Sequence, residues 1–255
     1  MERIVTLTPS ATELVAALGD AGKLVAVDDY STYPPEVAAL PRVGSFLQPH
    51  LEAIMRARPQ VVIADDVHDD IIGTLRDVGI DVVKAPMHGL ADLRSAFAAV
   101  GARLGREEEA AARAEAIDQA IAAARARARG RGLRVLIVID REAGGLGGMV
   151  AAASGSWLDE LVAITGATNA LAASSVRYPK LSPEEVLRSG ADVILDVSFA
   201  ADPAAAQREW APMSAVPAVA NHRVYVLKDA FLLGPSPRVA EALARLEAVL
   251  APAAP

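Results

Sequence analysis

The sequence predicts an α/β protein of two lobes, each a mostly parallel sheet flanked by helices, joined by a single long helix. Three observations point there. Short, continuous apolar runs alternate with helical segments over the first hundred residues, the pattern of strands buried on both faces of a parallel sheet. A long stretch without Gly or Pro follows, built almost entirely from Ala, Glu, Arg, Ile and Gln. The strand–helix alternation then restarts.

Ile4–Thr8 is β-branched and apolar and reads as the first strand. After Pro9, Ser10 with Glu13 three positions later predicts a capping box that opens a helix running to Gly19. Lys23–Val27 is a second strand and 28–35 a loop. A helix over Leu51–Arg58, a strand over Val61–Ala64, a helix over Asp69–Val78, a strand over Ile80–Lys84 and a helix over Leu90–Leu104 complete the first lobe. From Arg106 to Arg129 the charges complement a helix dipole, with Glu107, Glu108 and Glu109 at the start and Arg125, Arg127 and Arg129 at the end. At 1.5 Å per residue this helix is roughly 35–40 Å long, and Gly130 and Gly132 stop it. Arg134–Ile139 opens the second lobe. Helices around Trp157–Ile164 and Pro183–Arg188, strands at Asp192–Val197 and Val224–Leu227, and a closing helix from Pro237 toward Leu250 follow. The domains are therefore residues 1–105, a linking helix over 106–130, and residues 131–255.

With 255 residues, 53% hydrophobic and 22% charged, the chain can fill one or two cores and is too apolar for disorder. Its net charge of −7, with no block of Lys and Arg, argues against a nucleic-acid partner. The absence of cysteine excludes disulfides, thiol catalysis and Cys-ligated metals. No apolar run approaches membrane-spanning length. The chain opens on a strand rather than a leader, which suits a cytoplasmic protein or an exported one whose leader has been removed.

Two stretches match at a constant offset. Glu52–Arg56 precedes the strand of Val61–Ile63, and Glu184–Arg188 precedes that of Val193–Leu195. A helix that feeds a strand favours Glu at its start and Arg four residues on for dipole and ion-pair reasons alone. The repeat also gives each lobe one equivalent carboxylate, a pseudo-symmetric pair suited to a two-fold symmetric partner.

The run Arg3–Leu14 resembles the opening of the periplasmic vitamin B12-binding proteins, members of the helical-backbone substrate-binding proteins of ABC importers for cobalamin, ferric siderophores and haem. Val27–Pro35 with Tyr30-Ser31-Thr32-Tyr33-Pro34-Pro35, Val43-Gly44-Ser45-Phe46 with Leu51-Glu52, Arg177-Tyr178-Pro179 with Ser182-Pro183-Glu184, and Ser236-Pro237-Arg238 extend the match over nearly the whole chain. The resemblance implies a class III periplasmic binding protein: a monomer on the extracytoplasmic face of the membrane, without catalysis or resident cofactor. Such a protein holds a small-molecule ligand between its lobes and delivers it to a dimeric permease; the long helix, which resists bending, itself predicts small lobe motion on binding. It places Glu52 and Glu184 at the positions that dock on the permease.

Ligands of parallel α/β lobes sit beyond the carboxyl ends of the strands. Aromatic residues are only 4% of the chain, yet Tyr30, Tyr33, Phe46, Tyr178 and Phe231 all fall in strand-end loops, where core packing does not call for them. By resemblance, Tyr30, Phe46 and Tyr178 match positions that flank a corrin ring. Asp65 stands where the B12 binders carry a tryptophan, and the Leu232-Leu233 region replaces a cleft arginine. With His88, Asp229 and Phe231 these residues make up the expected ligand surface, and a corrinoid, cobalamin or cobinamide, is the expected cargo. The haem binders' tyrosine ligand is missing near Ser45-Phe46, and siderophore binders' several cleft arginines are reduced to Arg177; a siderophore or other metal chelate is the alternative. None of His50, His68, His88 and His222 shows metal-ligand spacing, and surface positions suit them; His68 or His88 could reach a corrinoid cobalt. A two-lobe nucleotide-binding enzyme is the rival from another class, but 144–149 fits neither the dinucleotide nor the P-loop glycine pattern.

Overall fold

The computed structural model describes residues 2–251. The chain packs as two compact units. One runs to Ile117 and also takes in Pro235–Pro237; the other runs from Asp118 to Gly234 and resumes at Arg238.

In the first unit, strand β1 (Ile4–Thr6) leads into helix α1 (Pro9–Ala17) and strand β2 (Leu24–Ala26). A two-residue antiparallel pair follows, β3 (Gly44–Ser45) and β4 (Gln48–Pro49), then α2 (Leu51–Ala57), β5 (Val61–Ala64), α3 (Asp69–Asp77), β6 (Asp81–Lys84) and α4 (Leu90–Leu104). The sheet order is β2-β1-β5-β6, parallel throughout. Ile4, Val5, Val61, Val62 and Ile63 are completely buried, which explains why these strands read as unbroken apolar runs. Each such side chain contributes about 1.5–3 kcal/mol of hydrophobic stabilisation.

Helix α1 starts differently from the sequence expectation. Thr8 is its N-cap, its hydroxyl accepting the N–H of Ala11 at 3.0 Å, and Pro9 takes the first turn, where a missing N–H costs nothing. Glu13 is buried and accepts the hydroxyl of Ser236. The Ser10–Glu13 capping box does not form because a residue distant in sequence engages the glutamate.

Helix α5 (Glu107–Arg127) has 21 residues, about 32 Å at the helical rise, and the division between the units falls within it, after Ile117. In the second unit come β7 (Arg134–Asp140), β8 (Val150–Ala151), α6 (Trp157–Ile164), β9 (Thr168–Asn169), α7 (Pro183–Ser189) and β10 (Val193–Asp196). They are followed by α8 (Ala206–Trp210), α9 (Pro217–Ala220), β11 (Val224–Val226) and α10 (Val239–Leu250). β11, β10, β7 and β9 run parallel in that order, and β8 lies antiparallel to β7. The closing helix begins at Val239 rather than Pro237, because Pro235–Pro237 packs with the first unit.

The two parallel sheets are topological copies: β6-β5-β1-β2 corresponds to β11-β10-β7-β9. The sequence repeat lies at the matching place in each. Both helices preceding the inner strand have seven residues and end in a left-handed residue, Arg58 in α2 and Gly190 in α7. Leu51 and Pro183, Arg58 and Gly190, and Val61 and Val193 are all separated by the same interval.

Candidate functional site

In the first unit the strand-end loops are held from below by buried polar groups. Thr6 of β1, Thr12 of α1 and Ser31 form a chain of hydroxyl hydrogen bonds of 2.6 and 2.7 Å, and Ser31 donates onward to Asp28. The second Asp28 oxygen accepts the N–H of Tyr30 at 2.9 Å, and Arg42 donates to the carbonyls of Asp28 and Ser31 at 2.9 and 2.7 Å. Burial raises the Asp28 carboxyl above the ordinary range, against the hydrogen bonds that lower it. The Thr, Ser and Asp positions of the opening motifs thus fix one loop, and that loop holds Tyr30 out with 59% of its surface exposed.

Phe46 is half-buried and follows Gly44, whose φ of +99° and close approach to the Gln48 carbonyl exclude a side chain. His68 ties this loop to the one after β5. Its Nδ1 accepts the Asp65 N–H at 3.0 Å, which leaves the proton on Nε2 to donate to the Phe46 carbonyl at 2.7 Å. The rings of His68 and Phe46 meet edge to face at 5.8 Å. With both nitrogens engaged and the residue buried, His68 is a brace and has no lone pair left for a metal.

Asp65, expected on the ligand surface, is also buried. One carboxylate oxygen accepts the Asp66 N–H at 2.7 Å and the other the Met87 N–H at 3.1 Å, so it binds the loop after β5 to the loop after β6. Burial raises its pKa, reinforced by a side-chain hydrogen bond between its carboxyl group and that of Asp66. Asp66 moves the other way, to about 2, first through that bond with Asp65, opposed by desolvation, and then through His88. His88 lies in the loop after β6 with Nε2 3.0 Å from an Asp66 oxygen. Asp65, Asp66 and His88 bring three potential metal-ligating atoms within 4.8 Å of one another.

In the second unit, Tyr178 is 48% exposed. Its flanking carbonyls, on Arg177 and Pro179, accept the N–H groups of Ala153 and Ala151 at 2.9 and 3.0 Å. Asp229 is ion-paired with Arg245 at 2.9 Å, and Phe231 lies beneath the Arg238 guanidinium at 4.8 Å from the ring centre. The second unit also presents Phe199, an aromatic not named among the sequence candidates. Phe199 is 77% exposed, and its carbonyl and that of Ser198 accept hydrogen bonds from Lys228 at 3.0 and 2.7 Å. In the same unit a fully buried Arg141 donates to Asp196 at 2.7 Å, Glu209 at 2.6 Å and the Gly145 carbonyl at 2.7 Å, and Asp196 also accepts the Ser198 hydroxyl at 2.7 Å. The signal available in the sequence was simple: an aromatic at the end of a buried strand, where a core does not call for one.

Glu52 and Glu184 are exposed in the first turns of α2 and α7. In α7 the neighbouring Glu185 turns back onto the Ser182 N–H at 2.7 Å as a capping box, and this bond lowers its pKa.

A family model described as periplasmic binding protein matches residues 4–231. The chain belongs to the periplasmic binding protein family. Periplasmic binding proteins of this kind are the non-enzymatic, substrate-binding components of ABC importers. Among relatives, a vitamin B12-binding protein of Vibrio cholerae is 28% identical over 245 residues, covering 95% of this chain and 86% of its own. The solved vitamin B12-binding protein of Vibrio cholerae superimposes with a TM-score of 0.82 at 27% identity, covering 98% of this chain and 96% of the other. The periplasmic heme-binding protein of Roseiflexus gives 0.87 at 28% identity, covering 98% and 97%. Both structures share the class III binding-protein architecture that the sequence predicted.

Proposed function

We propose that this periplasmic binding protein captures a corrinoid, cobalamin or cobinamide, and delivers it to a dimeric membrane permease. The observation that carries this reading is the display of Tyr30, Tyr178 and Phe199 on braced strand-end loops, 59%, 48% and 77% exposed. A flat macrocycle needs broad apolar walls with few polar contacts, and exposed rings held by buried hydrogen bonds supply such walls without ordering on binding. Phe46 and Phe231 extend the walls, and His88 and Asp229 supply polar contacts. The B12-binding relatives, aligned over most of the chain, support the same cargo.

Glu52 and Glu184 are the docking carboxylates in this reading. They sit at equivalent positions of repeated helices, so a two-fold symmetric permease meets the same group twice. Exposed charges of this kind set encounter rate and register more than affinity. Action at the permease places the protein on the extracytoplasmic face of the membrane.

A second reading, haem as cargo, is favoured by one observation, the 0.87 TM-score to a heme-binding protein. Phe46 and Ser45 offer no phenolate for the iron where the haem binders are expected to carry one. Calorimetric titration with cobalamin, cobinamide and haemin decides. Saturable one-to-one binding of a corrinoid at micromolar or tighter affinity is the expected result, with haemin at least an order of magnitude weaker. Tighter binding of haemin overturns the corrinoid assignment.

A further inference from the structure

His88, in the loop after β6, holds one ring nitrogen against carboxylate oxygens. Nε2 of His88 lies 3.0 and 3.2 Å from the two oxygens of Asp66 and 3.7 Å from the nearer oxygen of Asp65. A carboxylate only accepts, so the imidazole proton sits on Nε2 and donates to Asp66, and the lone pair of the neutral ring is on Nδ1. Among the described residues no hydrogen bond is made to that nitrogen, and the side chain is 39% exposed. The backbone is fixed as well: the His88 N–H goes to Asp92 at 3.1 Å, and the preceding N–H, of Met87, goes to buried Asp65. His68, from the neighbouring loop, shows the contrast, since both its nitrogens are used within the protein.

A carboxylate that holds one imidazole nitrogen while the other is open is the outer-shell arrangement that fixes the tautomer of metal-ligating histidines and raises their basicity. We propose that His88 is a metal-ligating residue, its Nδ1 taking an open axial position on the metal of the carried chelate, with Asp66 as the positioning residue. This rests on the corrinoid reading above and deepens it. The step is a ligand exchange: the Nδ1 lone pair forms a bond to cobalt, the bond from cobalt to an axial water breaks, and neutral water leaves. The Nε2 proton stays with Asp66, and no oxidant or reductant takes part. The protein then selects corrinoids with an exchangeable axial position over those whose two axial positions are both tightly filled.

The test is a titration of the protein with aquacyanocobinamide, followed by visible absorbance and in parallel by calorimetry, with dicyanocobinamide as the axially blocked control. The wild type is expected to shift the absorption bands of the aqua form to those of an imidazole complex, saturating with the calorimetric isotherm. His88→Ala is expected to bind without the shift, to regain it on addition of free imidazole, and to keep the wild-type melting temperature, which establishes that it is folded. Asp66→Asn, which weakens the hold on the ring, is expected to reduce affinity for the aqua form by about 10–100-fold and leave the dicyano form unaffected. Corrinoid binding with unshifted bands, or a shift that survives in His88→Ala, overturns this proposal and leaves the parent reading standing. No corrinoid binding at all overturns both. Uptake of bare Co2+ through the Asp65–Asp66–His88 cluster with no corrinoid shift assigns the residues to a free cation and also overturns it.

Discussion

Asp28 carries a carboxylate into a site from which solvent is excluded, partnered by a hydroxyl and one backbone N–H. Burial raises its pKa above the ordinary carboxylate range, so the folded state favours the protonated form. Its contribution to stability is greatest below the unfolded pKa and is lost as pH rises through the raised folded value. Asparagine fits the same partners, its oxygen accepting from Tyr30 and its amide donating to Ser31. Asp28→Asn is therefore expected to stabilise the protein near neutral pH, with an advantage that shrinks toward zero by about pH 3; urea midpoints across that range measure it, and a pH-independent difference contradicts the assignment. Arg141 is the opposite case, a fully buried cation neutralised by Asp196 and Glu209. Arg141→Met leaves Asp196 buried without its countercharge and is expected to cost about 3–5 kcal/mol in urea denaturation. On the surface, Tyr30→Ala, Tyr178→Ala and Phe199→Ala are each expected to weaken corrinoid binding by about 1–2 kcal/mol without lowering the melting temperature, because exposed rings contribute little to the folded state.

At the scale of elements, the strands and the longer helices were legible because their signals are local. Val61–Ala64 and Leu90–Leu104 are found where the apolar pattern places them, and α5 where composition and terminal charges do. The two-residue strands and the short helices α8 and α9 were not. The strands Val150–Ala151 and Thr168–Asn169 exist because β7 pairs with them, and no period is readable in two residues. The Ser10–Glu13 pattern failed for a related reason: a buried Glu13 answers to Ser236, more than two hundred residues away, and local rules do not register distant partners. The candidate site divides the same way. Exposed aromatics at strand ends were readable, whereas the roles of Asp65 and His68 depend on hydrogen bonds between loops and emerged only from the fold. Helices α2 and α7, equivalent down to their left-handed caps, carry the prediction that belongs here. Glu52→Lys or Glu184→Lys is expected to slow association with the permease about tenfold at low salt, and the double variant to abolish stimulation of transport, while corrinoid affinity stays unchanged. Loss of corrinoid affinity in either variant contradicts the docking assignment.

For the molecule as a whole, one parallel sheet topology occurs twice along the chain, with a helix that opens on a glutamate before the inner strand of each copy. Repetition of this kind gives a receptor two equivalent points for a symmetric partner, while the loops beyond the carboxyl ends of the strands are free to differ. They do differ: polar braces hold Tyr30 and Phe46 in the first unit, while in the second Lys228 holds the Phe199 carbonyl and a buried Arg141 pairs with Asp196. The central claim is the proposal that the exposed aromatics of these loops bind a corrinoid. Native mass spectrometry of the purified protein with an excess of cobinamide tests it most directly. A single adduct of one cobinamide per chain, lost in the combined Tyr30→Ala, Tyr178→Ala, Phe199→Ala variant, is the result the account predicts. No adduct, or one that persists in the triple variant, contradicts it.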